Sequence, residues 1–291
     1  MTRLFARMTV AGVGLIGGSL AAAARARGLV GEVVGYGRGE ENLRLAHERG
    51  LIDRFTRDAA AAAAGADVVV LATPVGSCAA VAKALGAHAR RDALLTDVGS
   101  VKGTVVTALE EVWPAPALVV GAHPIAGSEA AGAGAARADL FAGQRCILTP
   151  SRTTDREALA RVRALWEGVG AVVEEMPAAV HDQLLARVSH LPHVLAYALV
   201  AAVAEASAGG RRGFDYAGGG FRDATRIAGS PAEIWRDIAF ANAPALTAAL
   251  GEFRRALDRL EALLRAGDAA GFGAALAEAR ALRQRLGSKP G

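Results

Sequence analysis

Cysteine is nearly absent. Cys78 and Cys146 are the only two in 291 residues, and neither lies in a CxxC pair or at a metal-ligand spacing. That excludes a disulfide framework and points to a reduced, cytoplasmic protein. Basic runs are also missing: the formal charge is +4, with cations paired only as Arg90-Arg91, Arg211-Arg212 and Arg254-Arg255. Nucleic acid is therefore not an expected partner, and the mild positive balance suits anionic small molecules. No apolar run is long enough for a membrane. The longest, Val194 to Ala204, falls short of the roughly 20 residues a bilayer requires and is flanked by His193 and Glu205, so it reads as a buried helix. Arg3 and Arg7 precede an apolar start, but that start runs into a glycine-rich turn without a small-residue cleavage site, as a first strand does and an export signal does not.

With 52% hydrophobic and 21% charged residues, the chain has ample material for a core. Short β-branched runs recur between helical stretches: Met8 to Val13, Glu32 to Tyr36, Asp67 to Ala72, Ala93 to Val98, Leu118 to Gly121, Cys146 to Thr149 and Ala171 to Glu174. This alternation predicts βαβ units and a mostly parallel sheet, an α/β fold of the doubly wound, Rossmann type. From Pro177 onward strand-like runs give way to Ala/Leu/Arg-rich helical periodicity. The expected division is a dinucleotide-binding domain over 1–175 and an all-helical substrate-binding and dimerisation domain over 176–291. In the second, Gly218-Gly219-Gly220 is expected to form a loop, and Phe221 to Ile227 and Ala243 to Pro244 to interrupt the helices. The apolar face of Leu246 to Leu264 predicts a homodimer.

Gly12-Val13-Gly14-Leu15-Ile16-Gly17 follows the first predicted strand and opens a predicted helix, the context in which GxGxxG carries meaning. The first glycine permits a tight turn, the second lets a pyrophosphate reach the backbone, and the third lets helix and strand pack closely. Such a loop also suits a non-catalytic dinucleotide sensor. The second predicted strand ends Tyr36-Gly37-Arg38, with no acid to hold the 2′-hydroxyl of NAD. Gly37 and Arg38 lean instead toward the 2′-phosphate of NADP. Thr73 and Pro74 close the third predicted strand, where proline cannot continue the ladder, and are expected to border the dinucleotide.

Two further strand ends carry polar residues that packing does not require: Asp97 to Lys102 (DVGSVK) and His123 to Glu129 (HPIAGSE). His123 titrates near neutral pH and suits a general base, with Ser100 placed to hydrogen-bond its ring or a substrate hydroxyl. Taken alone, a histidine before proline is as often a turn residue.

Together with Gly12 to Ser19 (GVGLIGGS), Ser189 to His193 (SHLPH) and Gly220 to Ala228 (GFRDATRIA), these motifs resemble the prephenate and arogenate dehydrogenase family in order and spacing over nearly the whole chain. The resemblance implies an oxidative decarboxylation leading to tyrosine, with prephenate or arogenate as the small-molecule substrate and NAD(P) as the cofactor. It implies that His123 contacts the C4 hydroxyl of the substrate ring, that Ser100 lies beside both it and the nicotinamide, and that Arg226 holds a substrate carboxylate. From pattern alone Arg226 also fits a surface ion pair with Asp223. The resemblance places His190 and His193 in the substrate pocket. Spacing alone leaves a metal conceivable there, but no third ligand stands at suitable spacing, and His181 lies too far off in the pattern. Trp235 is expected to line or close the pocket, with Ser128 and Glu129 near its entrance. No room is expected for a fused chorismate mutase or a regulatory domain.

Overall fold

A computed structural model describes residues 3–127 and 130–286. The chain begins with β1 (Phe5–Ala11), α1 (Leu15–Ala26), β2 (Val30–Tyr36), α2 (Glu40–Glu48), β3 (Arg54–Thr56), α3 (Ala59–Ala63), β4 (Val68–Leu71), α4 (Cys78–Gly86), β5 (Leu94–Asp97), α5 (Gly103–Val112) and β6 (Val119–Pro124). It continues through β7 (Arg145–Thr149), α6 (Arg156–Gly168) and β8 (Val172–Glu175). The strands form one sheet in the order β3-β2-β1-β4-β5-β6-β7-β8. All pairings from β3 to β6 are parallel, β6 and β7 run antiparallel, and β7 and β8 are parallel. The order reverses between β1 and β4, and in open α/β sheets such a switch opens a crevice at the carboxyl edge.

Strands such as Val68–Leu71 and Leu94–Asp97 are buried throughout, as expected of parallel strands covered on both faces. One apolar cluster gathers around Met8, Leu20, Phe141 and Trp166, the last two rings meeting edge-on at 5.2 Å. A second gathers around Leu71, Leu85, Leu109 and Trp113. Strand β3, three residues pairing with the end of β2, is too short to show a period in the sequence. Strand β6 runs past its predicted end at Gly121 because β7 pairs with it out to His123 and Pro124.

Beyond the sheet come α7 (Ala178–Leu185), a π-helical turn over Ala186–His190, and α8 (Leu191–Ala204). Pro192 in the first turn of α8 lacks the N–H that regular α-helical bonding would use, and a π-turn precedes it. By length and composition alone Ala178–Ala204 is a candidate membrane span, yet its His181, Asp182 and His190 are buried. The expectation that Val194–Ala204 is a buried helix is corrected: only Ala196 of α8 is buried, and Leu199 is 40% exposed. An all-round apolar helix signals burial without saying against which molecule.

Two further expectations change. A short hairpin of β9 (Ser207–Ala208) and β10 (Arg211–Arg212) interrupts the helical half, turned by Gly209 and Gly210 at φ +57° and +76°. Of the triple glycine only Gly218 stays outside a helix. Gly219 opens α9 (Gly219–Thr225), and a 3-10 turn over Arg226–Gly229 leads to α10 (Ala232–Ala241). The chain divides into two compact units between Ala243 and Pro244. In the second, α11 (Ala243–Arg265) and α12 (Ala269–Arg285) are joined through Gly267 at φ +67° and Asp268, whose carboxylate caps α12 at Gly271 N. Phe253, Leu257, Leu264, Leu276 and Leu282 are exposed on this pair.

Candidate active site

At the switch point, Gly12 adopts φ +93°, and a Cβ there would collide with the Ala72 carbonyl. A Cβ at Gly17 would collide with the carbonyl of Gly12, whereas one at Gly14 meets nothing within 4 Å. The first and third glycines are thus demanded by the fold, and the second leaves open space for an approaching group. No side chain caps the first turn of α1, so its N–H groups suit an anion. A cavity of about 840 Å³ runs along this edge, lined by Gly12, Gly14, Gly37, Arg38, Thr73 and Pro74 among others. Leu15 and Ile16 open α1 with their side chains partly buried against the core. Arg38 is exposed and forms no ion pair among the described residues, while nearby Glu40 is engaged by Arg44 at 2.9 Å and Arg57 at 3.8 Å.

The second part of the site grows from the ends of β5 and β6. Asp97 ends β5 fully buried, and its carboxylate accepts from Gly99 N (2.8 Å), Ala122 N (3.2 Å) and the equally buried Lys102 ammonium. Lys102 also donates to the Ala122 carbonyl at 2.7 Å. The pair thereby ties the loop containing Ser100 to the residue preceding His123. A buried charge pair needs such extra hydrogen bonds to offset its desolvation.

His123 is buried, and its Nδ1 lies 2.8 Å from Nε2 of His181, whose Nδ1 lies 2.8 Å from Oδ1 of Asp182. The same carboxylate accepts from the main-chain N–H groups of Lys102 and Gly103, each at 2.8 Å, and so caps α5 from α7. Burial pushes the Asp182 carboxyl upward, but the bonds from His181, Lys102 and Gly103 outweigh it and hold the group below the usual carboxylate range. An ionised carboxylate only accepts, so His181 Nδ1 carries a proton. In the neutral ring His181 Nε2 then accepts from His123 Nδ1–H. The chain leaves His123 Nε2 as a lone pair. Burial first, then the charge of Lys102 and the two neighbouring histidines, depress the His123 pKa well below the ordinary histidine value.

Asn242 donates from Nδ2 to the Asp182 carbonyl at 2.8 Å and faces His190 Nδ1 at 3.2 Å. His190 therefore keeps its proton on Nε2, a buried atom with no hydrogen-bond partner among the described residues. Burial lowers its pKa to about 4, against the pull of Asp182 and the Ser100 main chain. Ser100, half-buried in the loop after β5, is thus beside His190. His193 Nδ1 donates to the Ser189 carbonyl at 2.9 Å, and its ring stacks on Trp235 with centroids 3.4 Å apart and planes 18° from parallel. His190 meets the same indole edge-on at 6.3 Å. Trp235 sits on α10, which packs on the turn following Pro74, so that helix reaches both parts of the site. Arg226 opens the 3-10 turn that packs against α8. Ser128 and Glu129 lie outside the described residues.

The structure thus brings His123, His190, His193, Ser100 and Trp235 to the neighbourhood of one sheet edge. Sequence reasoning weighed His181 only as a metal ligand and set it aside, and it did not name Asp182. Their one sign in the sequence is the polar run His181-Asp182-Gln183 within Ala178–Leu185, and nothing in it points to a partner outside that helix.

Residues 20–175 match the family described as "Prephenate dehydrogenase, nucleotide-binding domain", and residues 177–278 match "Prephenate dehydrogenase, dimerization domain". The chain belongs to the prephenate dehydrogenase family. It is an oxidoreductase of that family with a Rossmann-type nucleotide-binding domain. It is 37% identical over 266 residues to a cyclohexadienyl dehydrogenase of Zymomonas mobilis, covering 91% of this chain and 90% of that one. It is 34% identical to a prephenate dehydrogenase of Bacillus subtilis, covering 92% and 73%. Among solved structures, prephenate dehydrogenase from A. aeolicus in complex with hydroxyphenyl propionate and NAD+ superposes with a TM-score of 0.93 at 37% identity, covering 97% of this chain and 98% of that one. Synechocystis arogenate dehydrogenase superposes with a TM-score of 0.82 at 32% identity, covering 96% and 99%.

Proposed function

We propose that this chain is a cytoplasmic prephenate dehydrogenase of tyrosine biosynthesis, converting prephenate to 4-hydroxyphenylpyruvate and CO2 with hydride transfer to NAD(P). The observation that carries the reading is the His123–His181–Asp182 chain, which leaves a lone pair on His123 Nε2 at the sheet edge that also holds the glycine loop. When bound, NAD(P) supplies the hydride acceptor. His123 Nε2 takes the proton of the C4 hydroxyl as that carbon gives up its hydride and gains carbonyl character. His123 Nδ1–H moves toward His181, which puts the positive charge next to Asp182 rather than next to Lys102. Loss of the ring carboxylate as CO2 then aromatises the ring, and His123 returns its proton to the phenolic oxygen. Arg226 anchors a substrate carboxylate through its planar fork.

Arogenate is the second reading, favoured by the similarity to an enzyme of that name. It carries an ammonium group that calls for a pocket acid. Both carboxylates buried at this site, Asp97 and Asp182, have their oxygens taken by N–H donors and the Lys102 ammonium, which supports the keto acid. For the cofactor, the uncommitted Arg38 and the neutralised Glu40 support acceptance of NADP. The exposed Phe253, Leu257, Leu264 and Leu276 of α11 and α12, within the segment matching the dimerization domain, support a homodimer through the C-terminal helices.

Reduced-cofactor absorbance with prephenate and arogenate, each paired with NAD and NADP, tests the reading. Prephenate is expected to be oxidised at the higher kcat/KM, with NADP used at least as well as NAD. No prephenate-dependent signal with either cofactor would refute it. In the same assay Arg226→Ala is expected to raise KM for prephenate about 30- to 1000-fold, the equivalent of losing about 2–4 kcal/mol from a charge-assisted pair. Lysine should restore little, and a fall in kcat at unchanged KM would remove Arg226 from substrate binding.

A further inference from the structure

The segment that follows His123 and the loop that fits the dinucleotide meet at one side chain. Asn42, on α2, donates from Nδ2 to the carbonyl of Val13, between two glycines of the loop, at 2.8 Å. Its Oδ1 accepts from Ala133 N, also at 2.8 Å. Both ends of the amide are engaged, so the side chain has one sensible orientation. Ala133 lies ten residues beyond His123, and further bonds hold its neighbourhood to the same two helices. Arg49, at the end of α2, binds the carbonyls of Ala133 and Ala136. The buried Ser19 hydroxyl on α1 accepts from Arg137 N at 3.0 Å. Gly132, at φ +79°, turns the chain into this strap, and a Cβ there would come within 3.3 Å of Asn42 Oδ1. Asn42 also lines the dinucleotide cleft.

We propose that Asn42 is a positioning residue that couples occupancy of the dinucleotide cleft to the segment following His123, so that dinucleotide and substrate bind with positive cooperativity. A ligand that orders the Gly12–Gly14 loop fixes the Val13 carbonyl. Through Asn42 it steadies Ala133, so the second ligand meets a strap that the first has already made more rigid. The coupling is reciprocal: each ligand tightens the other by the same factor. The inference rests on the proposed function and adds to it a residue outside both the proton relay and the carboxylate anchor.

Calorimetric titration of hydroxyphenyl propionate, with and without whichever of NAD+ or NADP+ is reduced faster in the absorbance assay, reads the coupling directly. In the unaltered protein the dinucleotide is expected to tighten the analogue at least fivefold. Asn42→Ala removes both bonds. Asn42→Asp keeps an acceptor for Ala133 N but sets a carboxylate against the Val13 carbonyl. Both should lower the factor threefold or more, whereas a purely structural role would weaken each affinity and leave their ratio alone. An unreduced factor in the variants, or a factor of one in the unaltered protein, overturns the coupling. Failure of the unaltered protein to bind either ligand would overturn the proposed function and the coupling with it. Hydrogen exchange gives a test that needs no variant. The Ala133 and Arg137 amides should exchange more slowly once dinucleotide is bound, and unchanged rates overturn the proposal.

Discussion

Replacing His123 by asparagine is expected to lower kcat about 10²- to 10⁴-fold, the range that general-base catalysis supplies, while KM for prephenate shifts by less than about threefold. The asparagine amide can still donate to His181 Nε2 in place of Nδ1–H, so the fold around β6 should survive. What it lacks is a basic atom facing the substrate. Steady-state kinetics across pH give the second half of the result. Because burial and the Lys102 charge keep the His123 ring neutral well below pH 6.5, the acid limb of kcat/KM should lie below that pH in the unaltered enzyme and vanish in the variant. The same shift has a stability consequence of definite sign. An unfolded chain takes up a proton near pH 6.5 that the folded ring refuses, so folding loses stability as pH falls below about 6.5. Near-normal turnover in the variant, or an acid limb above pH 7, would discard His123 as the base.

Asp182→Asn should be nearly as damaging, although residue 182 touches no substrate in the proposed mechanism. We expect kcat to fall about 10²- to 10³-fold with KM little changed, by analogy with the loss of an orienting carboxylate behind a catalytic imidazole. The aspartate receives three N–H donors, and an amide has one oxygen. With that oxygen toward His181 and Lys102 N, the NH2 group confronts Gly103 N–H, and the negative charge that steadies a protonated His181 is gone. In the flipped orientation the NH2 group meets His181 Nδ1 and forces the proton onto Nε2. His123 Nδ1 then accepts, its proton sits on the face turned to the substrate, and the base is blocked. Loss of the cap on α5 should lower stability by about 1–2 kcal/mol, measurable by denaturant unfolding. A variant that loses only stability, with kcat intact, would show Asp182 to be a cap and no more.

Why these residues escaped the sequence while others did not follows from the range of the interactions. The glycines at 12, 14 and 17 announce themselves because turn, phosphate loop and helix start are consecutive, and each demand is met within a few residues. His123 stood out because it ends a strand at the edge where ligands bind. His181 lies 58 residues from the ring it bonds and carries no spacing signal; only the docking of α7 against α5 and β7 makes it part of the relay. The Lys102–Asp97 pair was visible as letters in a motif, but full burial turns it from an ordinary charge pair into a brace under Ala122. Asn42 gave no sign at all, since its two partners lie 29 and 91 residues away.

The order of strand, glycine loop and helix, the parallel sheet and the change to helices after Pro177 were settled by local pattern, because backbone geometry and side-chain alternation act over a few residues at a time. The Val194–Ala204 helix shows the limit of that pattern: its apolarity called for burial, yet within this chain only Ala196 of it is buried. Proton positions, the neutral state of His123 and the link from Val13 to Ala133 came only with the tertiary structure. Each depends on which distant N–H meets which lone pair in a site withdrawn from water, and a linear chain does not encode that meeting in any short stretch.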